Sequence, residues 1–148
     1  MRLKTASEVI NFAKEVEEKS AEFYEGLAKM YSQHGDVFLS FVKENNKNKL
    51  WVQRVYQEVV SDALETGFSF EGLDTDNYLI KVDLSEDKDL SEVLKKILEM
   101  EEKIQKFYID AAEKSKSLLA DVPRVFERIV KRREKRKLEI KNLQEVRL

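Results

Sequence analysis

The chain has 148 residues, of which 42% are hydrophobic and 38% charged, with four glycines and one proline. This length suits a single domain with its own core, and so few turn-forming residues indicate a mostly helical protein. A formal net charge of −2 argues against a dedicated nucleic-acid binder, and the lack of cysteine excludes disulfides, thiolate metal sites and thiol catalysis.

Targeting signals are not evident in the sequence. The first residues, MRLKTASEV, do not follow a signal-peptide pattern, and no apolar run approaches the length of a membrane span. We therefore expect a cytoplasmic protein without a membrane partner. The single histidine, His34, rules out most histidine-based triads and zinc sites.

Two stretches of the sequence are copies of one another. SEVINFAKEVEEKSAEFYEGLAK begins at Ser7 and SEVLKKILEMEEKIQKFYIDAAE begins at Ser91, a constant offset of 84 residues (91 − 7). Ten of the 23 aligned positions are identical. Such a constant offset indicates a duplicated supersecondary unit, whose second half has diverged further than its first.

The first unit, residues 6–64, is predicted to be a helical hairpin. Thr5 and Glu8 form a capping-box pattern, and helix 1 is expected over about 6–31. Gly35 is the predicted C-cap of helix 1 and Asp36 the N-cap of helix 2, which is expected over about 37–64. The apolar stripes of the two helices are Ile10, Ala13, Ser20, Tyr24 and Leu27 in helix 1, and Phe38, Phe41, Val52, Val55 and Val59 in helix 2.

A long connection precedes the second unit. Residues 65–89 are long enough to cross the whole molecule. Within them an extended segment is predicted, because apolar residues alternate with polar ones at Phe68, Phe70, Ile80, Val82 and Leu84. Asp89 and Glu92 give an acidic variant of the capping box at the start of helix 3. The second hairpin, 90–148, holds helix 3 over about 90–115 and helix 4 from Asp121 and Pro123 onwards. Its predicted inner residues are Leu94, Ile97, Ile104, Tyr108 and Ala111 in helix 3, and Phe126, Ile129, Ile140 and Leu143 in helix 4.

Each inner stripe is interrupted near its middle by polar residues. Glu17 interrupts helix 1 and Glu101 helix 3, one residue each. Helices 2 and 4 instead carry pairs spaced three residues apart. These pairs are Asn45 with Asn48, and Arg133 with Arg136. Because charged groups are rarely buried without partners, the six side chains are expected to meet in the bundle interior.

The motifs EEKSAEFY and EEKIQKFY resemble those of rubrerythrin and related ferritin-like di-iron carboxylate proteins. The resemblance covers nearly the whole chain outside 65–89. It implies a single-domain, all-α, ferritin-like four-helix bundle, made of two antiparallel hairpins joined by a long crossover. In that family a Glu from each of helices 1 and 3, with an E-x-x-H pair from each of helices 2 and 4, binds two irons.

The chain keeps only part of that ligand set. Glu17 and Glu101 match the single Glu positions, but the E-x-x-H positions hold Asn45-x-x-Asn48 and Arg133-x-x-Arg136. Glu44 and Glu134 lie one residue away, about 100° off the inner face, so the sequence predicts that they are poor substitutes. Asn is a weak iron ligand, and Arg repels cations.

Charge balance suggests what replaces the metal. Glu17 and Glu101 facing Arg133 and Arg136 give a neutral set without iron. We hypothesise that the two guanidinium groups bridge both glutamates and that the asparagines complete the hydrogen bonds. The competing interpretation is a helix 4 rolled so that both arginines reach solvent.

The expected function is that of a ferritin-like structural or interaction module, a homodimer or other homo-oligomer, without a cofactor. The alternative is an iron-dependent oxidoreductase acting on peroxide or oxygen, with Glu17 and Glu101 holding a reduced metal site. A third possibility is a binder of small anions held by the arginines. The run KRREKRK is not expected to bind nucleic acid, because glutamates interrupt the basic residues of helix 4 and the chain as a whole is not basic.

Overall fold

The structure is a computed structural model, and it describes residues 1–60, 72–78, 89–116 and 121–147. Four α-helices account for most of these residues, and the described part contains no β-strand. They are α1 (Ala6–Met30), α2 (Gly35–Val60), α3 (Leu90–Lys114) and α4 (Asp121–Arg147). The predicted all-α class and the four predicted helices are therefore confirmed. Residues 61–64 of predicted helix 2 lie outside the described part.

The helix starts follow the predicted capping residues. The Glu8 backbone N–H donates to Thr5 Oγ1 at 3.1 Å, and Thr5 N–H donates back to Glu8 Oε1 at 3.0 Å. At the start of α3, Glu92 N–H donates to Asp89 Oδ1 at 2.9 Å. These contacts satisfy backbone N–H groups that have no partner within the helix.

The prediction for Gly35 was wrong. α1 ends at Met30, and a short 3-10 turn, Ser32–His34, leads into α2. Gly35 has φ −55° and ψ −40°, which is right-handed helical geometry, and it is the first residue of α2. Asp36 therefore lies inside the first turn of α2, because the 3-10 turn reverses the chain without a left-handed residue.

All neighbouring helices run antiparallel. Along each contact the residue numbers rise on one helix as they fall on the other. Thus Tyr24 meets Glu101 while Tyr108 meets Glu17, and Phe41 meets Arg136 while Asn45 meets Arg133. It follows that α2 ends at the end of the bundle where α1 begins, whereas α3 begins at the opposite end.

The described part of the connection, 72–78, packs on the residues that precede α1 and on α3. Leu3 N–H donates to the Leu73 carbonyl at 2.7 Å, and both side chains are buried. Tyr78 packs its ring 5.4 Å from that of Phe107 and donates its hydroxyl to Asp110 at 2.7 Å. The predicted extended residues Phe68, Phe70, Ile80, Val82 and Leu84 lie outside the described part.

The inner stripes form one continuous core. Every predicted inner residue whose side chain is described is buried, except Leu143, which is half-buried. The side chain of Val59 lies outside the described part. Aromatic rings of α1, α2 and α3 pack edge to face. The distance between ring centroids is 4.8 Å for Phe12 and Phe107, and 5.1 Å for Tyr24 and Phe41. No helix of the described chain has the length and apolar character needed to cross a membrane.

Candidate functional site: a buried salt-bridge network

The six interrupting residues all lie inside the bundle. None of them exposes more than 1% of its surface: Glu17, Asn45, Asn48, Glu101, Arg133 and Arg136. Arg133 and Arg136 therefore do not reach solvent, and helix 4 is not rolled outwards. Burial of this many polar groups is costly unless they are paired, so their contacts define the site.

Arg133 joins the two repeats. Its Nη2 donates to Glu17 Oε2 at 2.5 Å, and its Nη1 donates to Glu101 Oε2 at 2.6 Å. One guanidinium thus lies between the carboxylates of α1 and α3, as the sequence suggested. Charge-assisted bonds of this kind are roughly twice as strong as neutral ones.

Arg136 behaves differently from the hypothesis, which had both guanidinium groups bridging both glutamates. Its Nη1 donates to Glu101 Oε1 at 3.3 Å, while its Nη2 donates to Glu44 Oε1 at 2.7 Å, and the structure records no contact between Arg136 and Glu17. The Glu44 side chain is 27% exposed, at the rim of the site. Glu44 belongs to the network because the long Arg136 side chain reaches the edge of α2, although Glu44 points off the inner face.

The two asparagines, both on α2, contribute hydrogen bonds to Glu17 and Arg133. Asn48 Nδ2 donates to Glu17 Oε1 at 2.8 Å, and Asn45 Oδ1 accepts from Arg133 Nη2 at 3.5 Å. An amide can donate to a carboxylate or accept from a guanidinium. Here Asn48 does the first and Asn45 does the second.

Two tyrosines also belong to the network, and the sequence placed both of them on the inner stripes of their helices. Tyr24 donates its hydroxyl to Glu101 Oε1 at 2.5 Å, and Tyr108 donates to Glu17 Oε2 at 3.0 Å. Tyr24 and Tyr108 are equivalent in the two repeats, as are Glu17 and Glu101. Each tyrosine therefore donates a hydrogen bond to the glutamate of the other repeat. The two contacts are equivalent under the duplication.

The pKa shifts of Glu101 and Arg133 favour the charged form of each group. Burial alone would raise the pKa of Glu101, but Arg133 and Arg136 outweigh it and hold that pKa below its ordinary value of 4.5. Burial would lower the pKa of the Arg133 guanidinium, yet Glu101 and Glu17 raise it well above its ordinary value. Three carboxylates face two guanidinium groups, and the third, Glu44, is the one nearest to solvent.

Hydrogen bonding in the site is incomplete within the described part of the chain. Five buried side-chain atoms have no hydrogen-bond partner there: Ser20 Oγ, Asn45 Nδ2, Asn48 Oδ1, Arg133 Nε and Arg136 Nε. Both arginines pair only through their terminal nitrogens. A buried polar atom that stays unpaired costs about 1–3 kcal/mol of stability.

The donor set does not fit iron, the metal that the family resemblance implies. All four carboxylate oxygens of Glu17 and Glu101 already accept hydrogen bonds, and the Arg133 guanidinium lies between them. Among the residues described, no three Asp, Glu, His or Cys side chains are grouped so that they could hold a metal ion. A cation would have to displace a fixed positive charge.

The buried hydroxyl groups of Tyr24 and Tyr108 make the free energy of unfolding depend on pH in the alkaline range. Burial, with the nearby carboxylates of Glu101 and Glu17, raises the pKa of both Tyr24 and Tyr108 well above 10.0. A raised pKa contributes stability that is complete below pH 10.0 and is lost as pH rises towards the folded-state value. We predict that the free energy of unfolding falls above pH 10, and less steeply in Tyr24→Phe/Tyr108→Phe. Urea titrations across pH 9–11.5 test this, and equal slopes in both proteins would refute it.

Comparison of the chain with protein-family models, with curated protein sequences and with solved structures found no match.

Proposed function

We propose that this protein is a ferritin-like bundle in which a salt-bridge network takes the place of a di-iron site, and that it serves as a structural or interaction module. The observation that carries the proposal is the Arg133 guanidinium, which binds Glu17 and Glu101 at once. These are the two residues that match the family's single-Glu ligand positions. Because their oxygens already accept hydrogen bonds, neither glutamate can bind a metal without losing a partner.

The helix arrangement supports the ferritin-like part of the proposal. All neighbouring helices are antiparallel, and the connection between α2 and α3 joins opposite ends of the bundle. Two hairpins with one long crossover are typical of ferritin-like folds. The residues at the E-x-x-H positions, Asn45, Asn48, Arg133 and Arg136, are buried at the level of Glu17 and Glu101, where family ligands would lie.

The alternative functions need the network to open. An iron-dependent oxidoreductase would require Glu17 and Glu101 to release Arg133 before either could bind metal. A binder of small anions would require Arg133 and Arg136 to exchange carboxylates for the anion. Both steps would leave buried charges unpaired, which costs several kcal/mol.

Peroxide turnover tests the proposal. The protein is incubated with ferrous iron, freed of excess metal by gel filtration and assayed with hydrogen peroxide and an electron donor. We expect the same rate as a column fraction without protein. Turnover that rises in proportion to protein concentration, and is lost in Glu17→Gln/Glu101→Gln, would overturn the proposal in favour of the oxidoreductase.

A further inference from the structure

One surface of the bundle, where α2 and α4 lie side by side, is strongly basic. On α4 it consists of Arg124, Arg128, Arg132 and Lys135, whose spacing of i, i+4, i+8 and i+11 keeps them on one stripe of the helix. On α2 the spacing is i, i+4 and i+7. We call this surface the basic face, and its residues are Arg124, Arg128, Arg132 and Lys135 of α4 with Lys47, Trp51 and Arg54 of α2.

Glu134, the glutamate that interrupts the basic run KRREKRK, lies outside the basic face. Glu134 faces α3, where Gln105 Nε2 donates to its Oε2 at 2.9 Å, and Glu127 shares that side of α4, one heptad earlier. Asp121 and Glu139 lie on the same α4 stripe, at its two ends, and Glu58 follows Arg54 at i+4 on α2. Glu44 borders the face on α2, but its charge is paired with Arg136. The glutamate within the run, which argued against nucleic-acid binding, therefore does not interrupt the basic face itself.

Trp51 lies in the middle of the basic face and stacks against two of its arginines. The guanidinium carbon of Arg132 lies 3.8 Å from the centroid of the Trp51 ring, and that of Arg128 lies 5.0 Å away. Stacking on an aromatic ring holds a guanidinium in place while its N–H edges stay free to bind an anion. Tryptophan and arginine are also the residues that most often dominate binding energy at protein interfaces.

The cations of the basic face have no acidic partner in the described chain. Lys47, Arg54, Arg124, Arg128 and Lys135 are exposed and Arg132 is half-buried, and none of the six forms an ion pair with a described residue. By contrast, the exposed Lys19 pairs with Glu15 and Lys49 pairs with Glu18 on the side of the bundle near α1. Like charges held together without compensation cost stability, so an anionic partner would relieve their repulsion.

We propose that the basic face docks an acidic helix of a partner protein. A stripe of cations spaced three and four residues apart matches a stripe of carboxylates spaced in the same way on a facing helix. A protein partner is favoured over nucleic acid because the chain is net acidic, at −2, and because an aromatic–arginine cluster lies at the centre of the face. This inference rests on the proposed role as an interaction module.

Fluorescence anisotropy with a labelled peptide tests the docking. The probe is an alanine-based helical peptide of about four turns with glutamates on one stripe, and its control has the same composition with the glutamates scattered around the helix. We expect the striped peptide to bind at least about tenfold more tightly than the scattered one, with an affinity that falls as salt rises. Equal affinities would overturn the proposed helix.

Matched variants locate the binding surface. Arg128→Glu/Arg132→Glu is expected to weaken striped-peptide binding at least about tenfold. Lys103→Glu/Lys106→Glu changes the net charge equally on exposed positions of α3 and should leave binding within about twofold. Equal losses of peptide affinity in both variants would contradict binding at the basic face. If single-stranded oligo-dT bound more tightly than the peptide, and Arg128→Glu/Arg132→Glu weakened that binding, a protein partner would be contradicted. Neither failure bears on the peroxide assay, so the two proposals fail separately.

Discussion

Replacing Arg133 by methionine is expected to lower the free energy of unfolding by about 3–5 kcal/mol. The methionine side chain fills most of the space but leaves Glu17 and Glu101 as neighbouring buried carboxylates without their shared cation. Urea denaturation followed by circular dichroism gives the difference directly.

Arg124→Met is the matched control for this variant. Arg124 is an exposed residue of the same helix, and it has no ion-pair partner in the described chain. Its replacement should change the free energy of unfolding by no more than about 0.5 kcal/mol. A loss at Arg133 no larger than the loss at Arg124 would mean that the buried network contributes nothing.

The same network predicts that further substitutions restore stability. The variant Glu17→Gln/Glu101→Gln/Arg133→Met removes all three charges and leaves Arg136 paired with Glu44. We expect it to be more stable than Arg133→Met, because unpaired buried charges cost more than the absence of the whole set.

The second large effect is a gain of metal binding. Asn45→Glu, Asn48→His, Arg133→Glu and Arg136→His together place E-x-x-H pairs on α2 and α4, facing Glu17 and Glu101. We expect this fourfold variant to bind about two irons per chain, because the guanidinium groups are gone and the carboxylate oxygens are released. Elemental analysis after ferrous loading measures the iron.

A displaced set of substitutions is the control for the fourfold variant. Asn46→Glu, Lys49→His, Arg132→Glu and Lys135→His introduce the same side chains one residue away from the inner positions of α2 and α4, where the helices turn them outwards. This control should bind no stoichiometric iron. A fourfold variant that folds, as judged by helicity, yet binds no more iron than the control would contradict the assigned positions.

Much of the fold could be predicted from the sequence because its determinants are local. Helical periodicity and the capping residues Thr5 and Asp89 place α1 and α3 to within a residue. The turn at Gly35 could not be predicted in the same way. Glycine usually ends a helix through its left-handed conformation, but here a 3-10 turn reverses the chain and Gly35 begins the next helix.

The candidate site was predictable only to the level of which faces carry polar residues. Breaks in the apolar stripes identified six residues that are indeed buried together. The contacts of Glu44, Tyr24 and Tyr108 depend on the reach of long side chains and on which helices are neighbours across the bundle. Neither property is encoded in the periodicity of a single helix.

The most direct test of the account is the metal content of the unmodified protein. The purified chain is incubated with excess ferrous iron under anaerobic conditions, desalted and analysed for iron per chain. We predict no stoichiometric iron, because Arg133 occupies the space between Glu17 and Glu101. About two irons per chain, the stoichiometry of a di-iron site, would contradict the replacement of the metal by the salt-bridge network.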